Sequence, residues 1–434
     1  MAFKQSFDLN PNLTNISRKQ FEYKGAKYEL YNIEDPNAYY YKTSAYRSAI
    51  VSDGRLVCLA PAKAVPFNDY VHVMNEVVAQ QGITTDLSPP SASLRYFTSR
   101  IVEGTMINLF WDEVHSTWEI ASRKNIGCNY WYFKDPAGGI STAVKQLYSE
   151  RPLGISTLGN AVKQLYSERP LGKSTLGNAS AFRKQLTFRE MFLEALAIGS
   201  LADLETDADF VFLNKECSYS FVLQHPQNHL VELIEKPAAY MTYIYRIEHK
   251  DGQPFYSYVK PDQTAGNGRI RYPVDEHSGS TDVSPYGVSS FVGSMSINYE
   301  TGMRRTYYRE EYLELKALRG NNPSIYYQYL TLRKIQKVAD FLTHFPQYSE
   351  LFTKYEDQFN RFKSRLHQMY MDIRVFKKVR VADISSKRDK YFVEKLHYEV
   401  FLPGLTLHGK GFKVTKAVVG EFLDREDIMV PMGA

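Results

Sequence analysis

The sequence predicts an α+β protein, with antiparallel sheets and interspersed helices over residues 1–320 and an all-helical domain over residues 321–434. Three observations predict it. Runs of strand composition recur through the first three quarters of the chain. Asp251-Gly252, a two-residue hairpin signal, joins two of these runs. Beyond Pro323 the apolar residues switch to spacings of three and four, the period of helices with one buried face.

The strand candidates come in order. They are GRLVCLA (Gly54–Ala60), TMINLFW (Thr105–Trp111), WEIA (Trp118–Ala121), YSFVL (Tyr219–Leu223) and AAYMTYIYRI (Ala238–Ile247). One helix is well marked between them. Phe188, Met191, Phe192, Ala195 and Leu196 share a face, Thr187 and Glu190 form a capping box, and Gly199 is the expected stop. In the last quarter Ile325, Tyr329, Leu332, Ile335, Ala339 and Leu342 predict one amphipathic helix. After Pro346, Leu351, Tyr355, Phe359, Phe362, Leu366, Met369 and Ile373 predict a second, antiparallel to the first. The breakers Gly320-Asn321-Asn322-Pro323 place the domain boundary.

At 434 residues, with 44% hydrophobic and 23% charged, the chain has the make-up of a globular protein of two or three domains. The net charge of +5 permits an anionic partner without demonstrating one. Cys58, Cys128 and Cys217 lie far apart and form no CxxC pair, which argues against a cysteine metal site and for a reducing compartment. MAFKQSFDLNPNL lacks the apolar core of a signal peptide, and no apolar run is of membrane-spanning length. The expectation is a cytoplasmic or virion protein with no membrane partner. AVKQLYSERPLGISTLGN from Ala143 is repeated from Ala161 with one change, Ile155 to Lys173, a unit of 161 − 143 = 18 residues. Two copies are too few for a solenoid, so residues 136–181 read as an inserted loop. The GKST of the second copy lacks the glycine five places ahead that a phosphate loop needs; Ser167 stands there.

Four segments carry chemistry by their order. They are AYRSAIVSDGRLVCLAPAKAVPFNDY (from Ala45), RIVEGTMINLFWD with WEIASRKNIG, YSFVLQHPQNHLV (from Tyr219), and SSFVGSMS with GMRRTYYREEYLELKALRGN. Together these resemble the phage-type ATP-dependent RNA ligases of the covalent nucleotidyltransferase superfamily, most of all the ligase-like proteins of large DNA viruses. The resemblance spans roughly residues 20–335 and implies an ATP-grasp-like nucleotidyltransferase domain over 1–320, with the trailing helices as the ligase C-terminal domain. It also implies a lysine that attacks the α-phosphate of ATP, carboxylates for Mg²⁺ and ribose, and late lysines that neutralise phosphate.

Position by position, that chemistry is missing. Ile101 stands where the nucleophile belongs, Ser220 and Ser289 where carboxylates belong, and Thr306 where the first late lysine belongs. Other positions of the pattern persist: Arg47, Lys63, Glu103, Gly104, Arg123 and Lys124, with Asn228 and Arg319. His225 reads as a structural turn residue, and the basic stretch RVFKKVR (Arg374–Arg380) as a helix end complementing its dipole. The leading expectation is a degenerate ligase-like protein that binds nucleotide or single-stranded RNA, has no catalytic residue or metal site, and needs no cofactor. One alternative is an active ligase that requires ATP and Mg²⁺ and uses a lysine from elsewhere, such as Lys124 or Lys63. The other is a structural or scaffolding protein contacting other proteins of a viral assembly.

Overall fold

The computed structural model describes residues 5–7, 16–34, 46–66, 96–132, 185–273, 292–298 and 302–426. Ser289 and the duplicated segment within 136–181 lie outside the described residues. The chain divides into two compact units. The first comprises Met1–Tyr132 and Gln185–Asn321; the described part of the second runs from Asn322 to Glu426. The architecture is mixed α+β, with antiparallel sheets in the first unit and helices in the second.

The strands of the first unit are β1 (Gln5–Ser6), β2 (Ile16–Tyr23), β3 (Ala26–Ile33), β4 (Tyr46–Ser52), β5 (Arg55–Pro61), β6 (Val65–Pro66), β7 (Tyr96–Arg100), β8 (Thr105–Asp112), β9 (Thr117–Ser122) and β10 (Asn125–Ile126). Helices α1 (Phe188–Leu196) and α2 (Asp203–Thr206) follow. Then come β11 (Cys217–Gln224), β12 (Ala238–Lys250), β13 (Gln253–Val259), β14 (Ile270–Arg271), β15 (Gly293–Asn298), β16 (Arg304–Tyr308) and α3 (Glu310–Arg319). They form three sheets: a large one ordered β1-β13-β12-β11-β8-β9-β10, and two smaller ones, β2-β3-β4-β5 and β6-β16-β15-β7. All pairs are antiparallel except the short β12–β14 and β16–β6 ladders.

The large sheet is buried on both faces, and β12 shows how. Ala239, Met241 and Ile244 join Phe188, Met191, Phe192 and Leu196 of α1 in one apolar cluster. Tyr243, Tyr245 and Ile247 join Ala49, Val51 and Leu59 of the second sheet and Met295 and Ile297 of the third. Strict alternation cannot place both 241 and 244 on the same face. A bulge resolves this: Ser220 pairs with Tyr243 and Phe221 with Met241, which leaves Thr242 as the extra residue. One inserted residue exchanges the faces of everything after it.

The β12–β13 turn is Asp251-Gly252, both left-handed at φ 53° and 78°, as the sequence predicts. The α1 capping box also forms: Glu190 N donates to Thr187 Oγ1 at 3.3 Å, and Thr187 N donates to Glu190 Oε2 at 2.8 Å. The helix stops earlier than Gly199. Ala197 takes the left-handed cap position, and Arg269 donates to the Leu196 and Ala197 carbonyls at 2.9 and 2.8 Å. Ala197 thus does the work expected of the glycine, its amide and that of Ile198 donating to the Glu194 and Leu193 carbonyls at 3.1 Å, while a distant guanidinium takes the last two carbonyls.

The second unit contains α4 (Ile325–Lys334), α5 (Val338–His344), α6 (Ser349–Tyr370), α7 (Lys387–Lys395), α8 (Leu402–His408) and α9 (Lys416–Arg425). The first predicted long helix is two helices. Gln336 is left-handed (φ 57°), Lys337 N donates to Leu332 O at 2.8 Å, and Ile335, expected on the apolar face, is exposed. The second predicted helix is continuous, and Phe359, Leu366, Tyr370 and Ile373 pack on Phe392, Leu396, Val419 and Phe422. Among the described residues no helix is long and apolar enough to cross a membrane.

Candidate functional site: a cleft between two sheets

Of the residues read as lost chemistry, Ile101, Ser220 and Thr306 are among the described residues. Ile101 follows β7. Its amide donates to Gly293 O at 2.7 Å, and its side chain packs against the cluster of Tyr243, Tyr245 and Met295. An apolar residue here completes a core. Ser220 is fully buried: its hydroxyl donates to Asn108 Oδ1 at 2.8 Å and its carbonyl accepts from Thr242 Oγ1 at 3.1 Å. These neutral groups satisfy one another and leave no carboxylate for a cation. Thr306 lies in β16 between Met295 of β15 and Pro66 of β6.

Glu103 and Gly104 persist for reasons visible in the packing. The Glu103 carboxylate is only 7% exposed. It accepts from the amides of Leu230 and Val231 at 2.9 Å, from Glu232 N at 3.3 Å and from the Tyr312 hydroxyl at 2.9 Å. A Cβ on Gly104 would meet Leu223 O at 2.4 Å and Val222 Cγ1 at 2.7 Å, so only glycine lets β11 approach this closely. Both residues brace the segment after β11, where Asn228 Nδ2 also donates to Thr105 Oγ1 at 2.8 Å. Burial, with the charge of Glu103 next in weight, raises the Glu232 carboxyl to about 7. Burial, with help from the Arg319 charge, lowers His229 to about 4. His225 is buried; its Nε2 lies 3.2 Å from Glu194 and its Nδ1 accepts from Gln227 N at 3.0 Å. That is the turn role predicted for it.

The four basic candidates gather elsewhere, at one end of the second sheet. Tyr46 pairs with Pro61 and Ser48 with Ala60, so Arg47 sits in an irregularity facing the end of β5, and Lys63 lies two residues beyond that end. Ser48 also pairs with Asn32, which brings Glu34 to the same end. Lys124 pairs with Glu34 at 3.0 Å, with both side chains about half exposed, and Arg123 is its exposed neighbour in the β9–β10 turn. Such a pair contributes roughly 0–1 kcal/mol.

None of these four lines the cavity that opens between the large and third sheets. That cavity is small, about 20 Å³, room for about one water molecule, and is lined by Ser99, Met241, Thr242, Tyr258, Lys260, Gln263, Tyr272, Met295 and Ile297. The β12 bulge explains why the consecutive residues Met241 and Thr242 both reach it. Three guanidinium groups that the sequence reading left without a role lie on strands that border it, without lining it. Arg100 and Arg271 are chain neighbours of the lining residues Ser99 and Tyr272. They converge on Tyr240, their guanidinium carbons 5.7 and 5.9 Å from its ring centre. The Tyr240 hydroxyl accepts from Arg100 Nη2 at 3.2 Å and Arg271 Nη1 at 3.5 Å. Arg304 donates to the Ala62 carbonyl and stands 5.4 Å from the Tyr243 ring centre. Burial pulls its pKa down while the surrounding tyrosines, Tyr243 first, oppose the shift. Among the described residues none of the three has a carboxylate at ion-pair distance. The available signal was their place inside the quoted segments: Arg100 immediately precedes Ile101, and Arg304 lies in GMRRTYY.

Chemically, the cleft can hold an anion against an apolar, tyrosine-lined wall. Glu103 is taken up by its donors, and Ser220 is neutral. Lys260 lines this cavity, whereas Lys63 and Lys124 do not. No protein-family model and no curated protein matches this chain.

Proposed function

We propose that the protein is a noncatalytic nucleotide- or RNA-binding relative of the RNA ligases, with the inter-sheet cleft as its binding site. The observation that carries this reading is the pairing of Arg100 and Arg271 on Tyr240. Two cations share this hydroxyl, and the carboxyl whose charge couples to Arg100, Glu232, is held up at about 7 by burial, so an added anion such as a phosphate is favoured there. Tyr272, partly exposed where the cavity opens, supplies apolar surface beside the pair. Ile101 offers no nucleophile, so binding ends without a covalent adduct.

The test has two arms. Incubation with radiolabelled ATP and Mg²⁺, followed by denaturing electrophoresis, is expected to give no labelled protein band; an acid-labile band overturns the noncatalytic reading. Calorimetric titration with ATP and with AMP is expected to show saturable binding that weakens with salt. Absence of binding at low salt removes the cleft as a nucleotide site.

A further inference from the structure

A second surface, on the helical unit, carries an inference that stands apart from the cleft. Helix α6 does not end at Tyr370 but runs on through a π turn, Met371–Val375. Helix α7 runs on in the same way through Leu396–Phe401. Such wide turns are rare and gather at functional sites, because they push a side chain out of the regular helical array. Here the two meet. The Tyr370 hydroxyl lies 3.2 Å from His397 Nδ1, and the Arg374 guanidinium stands 6.0 Å from the Tyr398 ring centre.

The meeting point displays aromatic and basic side chains to solvent. Tyr398 is 60% and Phe376 54% exposed, and Val375 and Val379 are exposed beside them. From Tyr370 to Arg380 the chain carries Arg374, Lys377, Lys378 and Arg380 against Asp372 alone, a balance of 4 − 1 = +3. Lys378 contacts Asp372 at 3.5 Å and Arg380 contacts Asp383 at 3.0 Å, but these pairs sit at the surface and are easily exchanged. Arg374 and Lys377 have no carboxylate partner among the described residues, and Arg374 Nε is buried without a hydrogen-bond acceptor. A solvated helix end accounts for the lysines. It does not account for two exposed rings, or for a guanidinium with an unused donor held over one of them.

We propose that this patch binds single-stranded nucleic acid, with Tyr398 and Phe376 stacking on bases and Arg374, Lys377 and Lys378 contacting phosphates. The occupant follows from the chemistry: unpaired bases present π faces to aromatic side chains while the same strand presents negative charge at regular intervals. A duplex hides its bases and offers only the charge.

The experiment uses the full chain and a fluorescein-labelled oligouridylate, followed by anisotropy at two salt concentrations. Tyr398→Ala is expected to weaken binding about 5- to 100-fold, the range for loss of one stacked base. Tyr398→Phe is expected to retain binding, because the ring is kept. Lys377→Ala with Lys378→Ala is expected to lower the slope of log affinity against log salt by about 1.4, twice the 0.7 per phosphate of a single strand. A duplex of equal length should not respond to Tyr398→Ala. Oligouridylate binding unaffected by Tyr398→Ala and Phe376→Ala overturns the proposal, as does equal sensitivity of the duplex. Retention by anionic phosphatidylserine vesicles with no oligonucleotide binding reassigns the patch and also overturns it. Failure of ATP to bind the cleft leaves these outcomes unaffected, so the two sites are judged separately.

Discussion

Glu103 separates a ligand-binding role from an architectural one, and Glu103→Ala is the perturbation that tests it. Its carboxylate collects the amides of Leu230, Val231 and Glu232 and the Tyr312 hydroxyl while only 7% exposed. Removing it strands these donors. Each buried donor left without a partner costs roughly 1–3 kcal/mol. The segment is not sealed, since Leu233 is exposed a residue further on, so water can reach part of the set. With about two donors stranded the loss is about 2–5 kcal/mol, or a fall in melting temperature of roughly 5–15 °C for a unit of this size. Thermal denaturation followed by circular dichroism reads it directly. Glu103→Gln keeps the shape and one acceptor oxygen, and should lose less. An unchanged melting temperature combined with lost nucleotide binding would refute the reasoning, because it would mean that the carboxylate serves a ligand.

Three further outcomes are expected. The folded protein holds Glu232 at about 7, above the ordinary 4.5, so it binds more protons than the unfolded chain between those values, and stability falls as pH rises through that window. Glu232→Gln should therefore raise the melting temperature at pH 8 and not at pH 4.5, and thermal melts across pH check this. Ile101→Lys should destabilise the fold, since it puts a charge against Tyr243, Tyr245 and Met295, and should yield no adenylylated band in the radiolabelled ATP assay. Arg100→Ala with Arg271→Ala should weaken nucleotide binding in calorimetry more than Arg123→Ala with Lys124→Ala, whose side chains lie at the end of the second sheet; the reverse order would move the site there.

What could be read from the sequence was what local chemistry decides. Asp251-Gly252 made its turn because both residues tolerate left-handed backbone, and Thr187 with Glu190 made its capping box because the partners are three residues apart. Where distant residues intervened, the reading slipped. The α1 stop moved from Gly199 to Ala197, which takes the left-handed cap itself while the distant Arg269 satisfies the last two carbonyls. The predicted helix through Ile335 broke because a left-handed residue at Gln336 turns the chain back. AAYMTYIYRI reads as an unbroken strand, yet its bulge at Thr242 sends Tyr243 and Tyr245 to the opposite face from the one that alternation gives. That one residue sets the lining of the cleft, and nothing in the local pattern marks it.

The same contrast governs the candidate site. The positions that persist in the ligase-like pattern include those the architecture needs on its own account: Gly104 because a side chain would strike Leu223, and Glu103 because backbone donors converge on it. The positions read as lost are filled by groups that suit a core or satisfy one another, Ile101 among tyrosines and Ser220 against Asn108. Persistence of a motif residue therefore argues for the fold before it argues for a ligand. The stronger sign of a ligand is a group that the fold alone does not satisfy. Arg100 and Arg271 meet that standard, sharing one tyrosine hydroxyl and forming no ion pair closer than the electrostatic coupling of Arg100 to Glu232. Arg374, with its buried Nε unused beside Tyr398, meets it again on the other unit. A buried or half-buried guanidinium gives up hydration, and an anion that arrives later restores what was lost. On that ground the proposed binding is to be tested first at these arginines, and not at the glutamate and glycine of the ligase-like pattern.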